Sequence, residues 1–243
     1  DLSMQVDAAL APDMSKTDVS ELLRDGFRFA GGYRIGANTY TIRSHDAQQQ
    51  VEISGAADGA SVDLSLDAAA MRYGVAVDGF DVTLASSELP FPSVNVRLEA
   101  LGASFLLPLT GGPDLQDFAL GLRIVGLALP AEIWGMLDPI GNLPRDPATA
   151  ILDLKGKVAL FGDILSPEVA AMDSPPGELH ALDIDELRLT AAGGALTGAG
   201  GFTFDNSDLD TIPGLPRPTG AIDLQLKGGN KLLDTLVSMG LLP

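Results

Sequence analysis

The sequence predicts a mainly β protein: a strongly curved antiparallel sheet, shaped as a groove, half-barrel or sandwich-like structure, with three to four short helices at its edges and ends. Apolar and polar residues alternate over most of the chain, which is typical of strands with one buried face. Gly, Pro and Asp interrupt these runs at intervals expected for turns. Helical spacing occurs only in short segments, and the last of these follows the final alternating run.

The N-terminal quarter predicts a strand, a short helix and two hairpins. Residues 1–10 alternate, and residues 17–24 form an apolar stripe that Thr17 would cap and Gly26 would end. A first hairpin is predicted around Gly36. Asp58-Gly59 is the strongest short hairpin signal in the chain. The strands flanking these two turns are predicted at residues 27–35, 39–43, 51–57 and 60–68.

In the middle of the chain, Gly79 shifts the alternation by one residue between two apolar runs, which predicts a turn or bulge. Gly111-Gly112-Pro113 is predicted to join two paired strands. Pro130 is predicted to open a short helix that contains Trp134. The strands predicted in this part lie at residues 71–77, 80–84, 94–98, 103–109, 118–127 and 149–161.

The sequence of the C-terminal part predicts a third helix, three strands and a final helix. Ser166 and Pro167 are typical N-cap and N1 residues for a helix that reaches about Met172. Gly193-Gly194 is predicted to be a hairpin turn. The glycines of residues 193–201 indicate a closely packed strand rather than a phosphate loop, because no Lys-Ser or Lys-Thr follows them. The strands are predicted at residues 187–192, 196–205 and 219–227, and helical spacing begins at Leu232.

The whole chain, residues 1–243, is interpreted as a single β-rich domain, because no linker is long enough to divide it. It begins with Asp1 instead of Met, so we expect the mature or C-terminal part of a longer chain. No apolar run approaches the ~20 residues of a spanning helix, which predicts no transmembrane segment. There is no cysteine and therefore no disulfide or thiol chemistry.

The formal net charge is -18 although 46% of the residues are hydrophobic. This charge argues against nucleic acid as a partner, because phosphate neutralisation requires Lys and Arg. It argues equally against electrostatic attraction to anionic lipid. The abundant aliphatic residues predict an extensive apolar face.

Residues suited to catalysis are scarce, so we expect no enzyme, no catalytic residue, no metal and no cofactor. His45 and His180 are the only histidines, and both lie in polar, turn-like surroundings. The chain has no nucleophile elbow, phosphate loop or zinc-protease motif. Two carboxylate clusters are interpreted as solvated turns, with a cation site as the alternative for each. They comprise Asp183, Asp185 and Glu186, and Asp205, Asp208 and Asp210.

Residues of one parity in the predicted strands are candidates for lining an apolar ligand site. Trp134 is a core residue or, alternatively, part of the mouth of a groove. The candidate lining residues are Val62, Leu64, Leu66, Tyr73, Val75, Phe80, Val82, Val96, Leu98, Trp134, Phe202 and Phe204.

The C-terminal segments 187–205 (LRLTAAGGALTGAGGFTFD), 220–228 (GAIDLQLKG) and 232–243 (LLDTLVSMGLLP) carry a family resemblance. They resemble a domain-of-unknown-function family of Gram-negative envelope proteins and, more loosely, AsmA-like proteins. The resemblance implies a periplasmic or secreted protein with an elongated β-groove that handles lipids. No catalytic residue carries over. We expect the chain to differ from the large AsmA-like proteins in being short and in showing no membrane anchor.

Two functions remain open at this point. The first is a non-enzymatic binder or carrier of lipid or another apolar small molecule in a β-groove. The second is a structural envelope module that binds a protein partner, with a filled core and no small-molecule ligand. A carrier requires an apolar wall that its own side chains do not cover, whereas a scaffold requires an accessible sheet edge or apolar helix.

Overall fold

The computed structural model describes residues 2–13, 15, 18–45, 50–240 and 242. Strands account for 59% of the described residues, and the described helices are short. The strands are β1 (Leu2–Ala9), β2 (Arg28–Ile35), β3 (Asn38–His45), β4 (Gln50–Ala57), β5 (Gly59–Leu66), β6 (Ala70–Ser86), β7 (Val94–Pro108), β8 (Gln116–Leu127), β9 (Ala148–Leu160), β10 (Gly177–Ala191), β11 (Gly194–Asp205) and β12 (Arg217–Lys227). The helices are α1 (Val19–Arg24), α2 (Ala131–Leu137), α3 (Pro167–Ala170) and α4 (Gly229–Ser238).

All twelve described strands belong to one antiparallel sheet, which confirms the predicted fold class. The order across the sheet is β1-β2-β5-β6-β7-β8-β9-β10-β11-β12, and from β5 onward it follows the order in sequence. β4 pairs with the second part of β6, and β3 pairs with β4. Because β1 and β12 lie at opposite ends of this order, the sheet is open.

The two N-terminal hairpin predictions are wrong. β2 pairs with β5 and β3 pairs with β4, so the chain does not fold back at Gly36. β4 and β5 both pair with β6, so it does not fold back at Asp58-Gly59 either. The register is continuous through both breaks, because Phe29 pairs with Leu66 and His45 pairs with Gln50. These segments are therefore long strands with an internal irregularity.

The irregularities line up in one row across the sheet. Continuing the register through each break places Ala37, Asp58, Gly79, Glu99 and Gly126 opposite one another, and we call these five residues the transverse row. The two glycines have left-handed φ angles of 58° and 66°, which side chains disfavour. The apolar positions change parity at this row. The predicted irregularity at Gly79 is confirmed, but it lies within continuous β6 and forms no turn.

The remaining local predictions hold with shifted boundaries. Asp18 caps α1 by accepting a 2.8 Å hydrogen bond from the Ser20 amide, and the predicted cap Thr17 lies outside the described residues. Ser166 caps α3, as predicted. The β10–β11 turn is Ala192-Gly193, one residue before the predicted position. Their positive φ angles of 50° and 81° are those of a type I′ turn.

The small hydrophobic core lies largely at one end of the sheet, where α1, residues 108–112 and residues 160–170 meet; we call this assembly the end cap. Gly111 donates a 2.8 Å hydrogen bond to Asp163, whose carboxylate also pairs with Arg24. Ile164 donates to the carbonyl of Leu109 at 2.9 Å. Among the described residues, the buried apolar ones are Ala11, Leu23, Ala57, Ala70, Leu109, Ile151 and Leu160.

Candidate functional site: an exposed apolar face

One face of the sheet is apolar across ten strands. Residues directly opposite one another on paired strands share a face, so the register assigns each side chain to one side. From the transverse row to the end cap, residues of one parity on each strand are mostly apolar or glycine and oppose such residues of the next strand; Gln116, opposite Val158, is a polar exception. We call this surface the apolar face. It comprises Leu2, Met4, Val6, Ala8, Phe29, Tyr33, Ile35, Val62, Leu64, Leu66, Met71, Tyr73, Val75, Val77, Leu101, Ala103, Phe105, Leu107, Phe118, Leu120, Leu122, Ile124, Leu152, Leu154, Leu179, Leu182, Ile184, Leu187, Leu189, Leu196, Phe202, Phe204, Ile222, Leu224 and Leu226.

The opposite face is polar and carries cross-strand ion pairs. Lys157 lies 2.7 Å from Asp117 on the neighbouring strand, and Arg34 lies 3.2 Å from Asp63. These side chains are about half exposed, so each pair contributes at most about 1 kcal/mol to stability. The polar face therefore keeps the sheet hydrated on one side and leaves the apolar face as the unusual surface.

Bulky side chains fill the gaps left by glycines of the apolar face. The ring of Phe29 lies 2.8 Å from the position that a Cβ of Gly31 would take. The ring of Phe118 covers Gly156, and Leu224 covers Gly198. At these three positions a neighbouring side chain therefore occupies the space beside the glycine.

The apolar face is not covered by the rest of the described chain. Leu122 in β8 is 44% exposed and Leu226 in β12 is 59% exposed. The accessible surface is 14893 Å², whereas a folded monomer of 25.2 kDa is expected to expose about 10,300 Å². An excess of roughly 45% is typical of a protein whose core lacks a second layer.

Seven of the predicted lining residues lie on this face. Val62, Leu64, Leu66, Tyr73 and Val75 are neighbours on β5 and β6. The ring centroid of Tyr73 lies 5.5 Å from that of Phe105 in β7, a residue that the sequence analysis missed. Phe202 and Phe204 share the face but lie on β11, five strand spacings or about 24 Å from β6.

The other five predicted residues are not brought into this group. Phe80 pairs with Leu98, and Val82 pairs with Val96, on the far side of the transverse row. Trp134 lies half-buried in α2, with the Arg145 guanidinium 6.0 Å from its ring centroid.

Sequence reasoning missed more than half of the apolar face. The alternation in β1, β8 and β12 was visible in the sequence, but it does not reveal which strands are neighbours. The missed residues include Leu2, Met4, Val6, Phe118, Leu120 and Leu224. Pairing information would have assigned them, since each opposes an apolar residue or a glycine on the adjoining strand.

Two helices and one loop lie where the apolar face ends opposite the end cap. α2 and its loop follow β8, and α4 follows β12. The loop is organised by Asp138, which is fully buried and accepts hydrogen bonds from the amides of Leu143 at 2.7 Å and Gly141 at 3.0 Å. The Leu143 hydrogen bond is the main cause that lowers the pKa of Asp138, and burial opposes it.

The carboxylate clusters are explained by local structure. Asp183, Asp185 and Glu186 lie within β10, so their interpretation as a turn is wrong; Asp185 pairs with Lys155 at 2.7 Å. Asp205 ends β11 and Asp208 lies in the turn that follows, and both pair with Arg217. The Ser207 hydroxyl lowers the pKa of Asp205 by donating to its carboxylate.

Within the described part of the chain, no group of three or more His, Asp or Glu side chains is placed to hold a metal ion. The His180 imidazole lies 3.5 Å from Glu178. The side chain of His45 lies outside the described residues, but its backbone is in β3, with five strands between it and β10. The two histidines are therefore not brought together.

A family model matches the part of the chain that forms most of the sheet and the apolar face. Residues 24–243 match the model of an uncharacterised protein family conserved in bacteria, DUF2125. The chain belongs to the DUF2125 family. β2 to β12 and α2 to α4 of this DUF2125 protein lie within the match. No curated protein and no solved structure matches the chain. None of the helices in the described ranges has the length and apolar character needed to cross a membrane.

Proposed function

We propose that this DUF2125 protein is a non-enzymatic binder or carrier of lipid or another apolar ligand, which lies on the apolar face. The observation that carries the proposal is the continuous apolar face, which ten strands form and no described element covers. Apolar surface of this extent is destabilising in water and is stabilised by contact with an apolar partner.

The size of the apolar face suits acyl chains. Ten strands span about 43 Å, and four same-face residues span about 20 Å along a strand. The resulting area of roughly 900 Å² corresponds to about 20 kcal/mol of hydrophobic free energy when it is fully covered. One acyl chain lying along a strand covers a strip about one strand spacing wide, so the face has room for several chains.

The proposal includes a periplasmic or secreted location and a functional likeness to AsmA-like proteins. Both rest on the resemblance of the C-terminal segments. The low number of catalytic residue types supports a role without chemistry, since the ligand would be held by burial alone. The charge of -18 supports recognition of the apolar portion of a ligand, because anionic groups would be repelled.

A protein-binding module is the second candidate, and the edge strand β1 favours it. Leu2, Met4 and Val6 are exposed on this edge, and β1 contains neither Pro nor Lys to block the addition of a strand. Edge β12, in contrast, contains Pro218. A stable partner that pairs with β1, together with lipid-free protein, would favour this function over the first.

The test is lipid extraction followed by a binding titration. The full chain is purified without detergent, extracted with organic solvent and analysed by mass spectrometry. Binding of the neutral fluorescent probe N-phenyl-1-naphthylamine is then measured for Leu122→Asn and for Arg123→Asn. These neighbouring residues of β8 point to opposite faces, so the second variant is the matched control.

We expect copurified lipid, and a probe affinity about three- to tenfold weaker for Leu122→Asn than for Arg123→Asn. The expected change corresponds to the loss of roughly 1 kcal/mol of apolar contact. Leu122 is nearly half exposed, so the substitution leaves the sheet folded. Equal affinities of the two variants, or absence of both lipid and probe binding, would contradict the proposal.

A further inference from the structure

The end of the molecule opposite the end cap is an assembly of two helices and a turn. Pro144, in the loop after α2, lies against Gly193 of the β10–β11 turn. Leu232 of α4 lies against Gly194, directly after that turn. The loop and α4 therefore flank the same turn. We call residues 131–147, 192–193 and 229–240 the tip.

Each helix of the tip presents apolar side chains to solvent. Leu232 of α4 packs inward, whereas Leu233 and Val237, one turn apart, are about half exposed. In the α2 segment, Met136 is exposed. Ile140, in the following loop, has the highest exposure of any large hydrophobic residue described, 80%. A large part of each of these side chains is therefore left open to solvent by the described residues.

The tip is also the less acidic end of the molecule. It carries four carboxylates and two cations, and one of the carboxylates is the buried Asp138. The end cap together with the strand ends and loops around it, residues 20–28, 67–72, 108–117 and 160–178, carries nine carboxylates and three cations. An apolar surface with a small charge excess suits a neutral interface, whereas the end cap would be repelled by an anionic one.

The apolar face leads directly to the tip. Leu189, Leu196 and Leu226 are its last residues on β10, β11 and β12, and all three strands end there. Gly229, at the start of α4, lies against the side chain of Leu226. An acyl chain that leaves the apolar face at this end therefore passes between apolar side chains.

We infer that the tip docks on the surface of a bilayer of zwitterionic phospholipids, and that acyl chains pass there between the bilayer and the apolar face. The docking step is argued from the residues of the tip alone, whereas the transfer of acyl chains rests on the proposed function. α4 is about 15 Å long and lies in the plane of the interface with Leu233 and Val237 inserted. Ile140 and Met136 insert from the other side of the turn.

The test is flotation of the full chain with phosphatidylcholine vesicles. The tip variant carries both substitutions Ile140→Asp and Val237→Asp. Its control is a second double variant, which carries Leu115→Asp and Phe161→Asp. Both of these residues are exposed, apolar and near the end cap. Binding of N-phenyl-1-naphthylamine is measured in parallel without vesicles. Leu122→Asn serves as the variant of the apolar face.

We expect the unaltered chain to float with the vesicles. The partition coefficient of the tip variant between vesicles and water should be at least about tenfold lower, because two aliphatic side chains no longer insert. The control floats like the unaltered chain. The tip variant binds the probe normally, and Leu122→Asn floats normally but binds the probe weakly. Adding phosphatidylglycerol to the vesicles lowers flotation, owing to the net negative charge.

Three results would overturn the inference: no flotation of the unaltered chain, equal losses in the tip variant and its control, or a dimer that only the tip substitutions dissociate. The last would assign the tip to a second copy of the chain. Failure of probe binding with normal flotation would refute the proposed function and leave docking intact. Unchanged probe binding by the tip variant also shows that it is folded.

Discussion

Asp163→Ala is expected to destabilise the protein more than any substitution of an exposed ion pair. The Asp163 side chain is only 9% exposed in the end cap. Its carboxylate accepts the Gly111 amide at 2.8 Å and pairs with Arg24, so one buried group joins three segments of the chain. Leu23 and Leu109, two buried residues of the hydrophobic core, lie beside it.

Asp163→Ala is expected to lower the free energy of unfolding by about 2–4 kcal/mol. An amide left without an acceptor costs about 1–3 kcal/mol. Arg24 is 55% exposed, so solvent screens its pair and the pair adds at most about 1 kcal/mol. Asp163→Asn keeps a side-chain oxygen that accepts the Gly111 amide, so it should lower the free energy of unfolding by only about 1 kcal/mol. Arg24→Ala should lower the free energy of unfolding by no more than about 1 kcal/mol.

The measurement is urea unfolding of the full chain, with Asp117→Ala as control. Asp117 also forms an ion pair, with Lys157 at 2.7 Å, but it lies exposed on the polar face. We expect a midpoint change close to zero for the control. If Asp163→Ala and Asp117→Ala unfold at the same urea concentration, the end cap is not the stabilising core that its geometry indicates.

Two further predictions concern the loop after α2 and the transverse row. The pKa of Asp138 is lowered by hydrogen bonds from backbone amides, that of Leu143 first, so its stabilising effect is present above the ordinary pKa of ~3.9 and is lost as the pH falls below it. Asp138→Asn should therefore flatten the decline of melting temperature between about pH 5 and pH 3, and an unchanged decline would contradict this. Gly79→Ala should lose about 1–2 kcal/mol in urea unfolding, because φ is 58° and the Asp58 carboxylate occupies the position of the new methyl group. Gly74→Ala, in the same strand with open space around it, is the control, and equal losses for both would argue against strain at the transverse row.

The existence and type of most elements could be predicted from the sequence, but not the pairing of the long N-terminal strands. Asp58-Gly59 has the composition of a type I′ turn, and the local signal is the same in a turn and in an internal break. What decides the outcome is pairing with β6, whose continuous register holds β4 and β5 in line. That interaction is not local in sequence.

The first part of β10 was missed for a related reason. Register shifts between Leu179 and Ala181 and between Ile184 and Glu186 each displace the alternation. Apolar residues therefore fall at Leu179, Leu182, Ile184 and Leu187, with three residues instead of two across each bulge. A fixed two-residue period cannot detect such a strand.

The apolar face was predicted in kind but not in extent. Alternation assigned Tyr73 and Phe202 to apolar faces of their own strands, and only the register shows that one surface contains both. It also places Phe80 and Leu98 on the far side of the transverse row, where the parity of the apolar positions changes. The tip could not be foreseen, since the contacts of Pro144 and Leu232 with one turn join segments that are distant in sequence.

The order of the strands bears on how the chain reaches its native state. From β6 to β12 every strand pairs with the one that precedes it in sequence. The partners are therefore local in sequence, which limits the conformational entropy lost in bringing them together. A sheet of this kind can grow by successive hairpins while the polypeptide emerges from the ribosome, with the newest edge serving as template for the next strand.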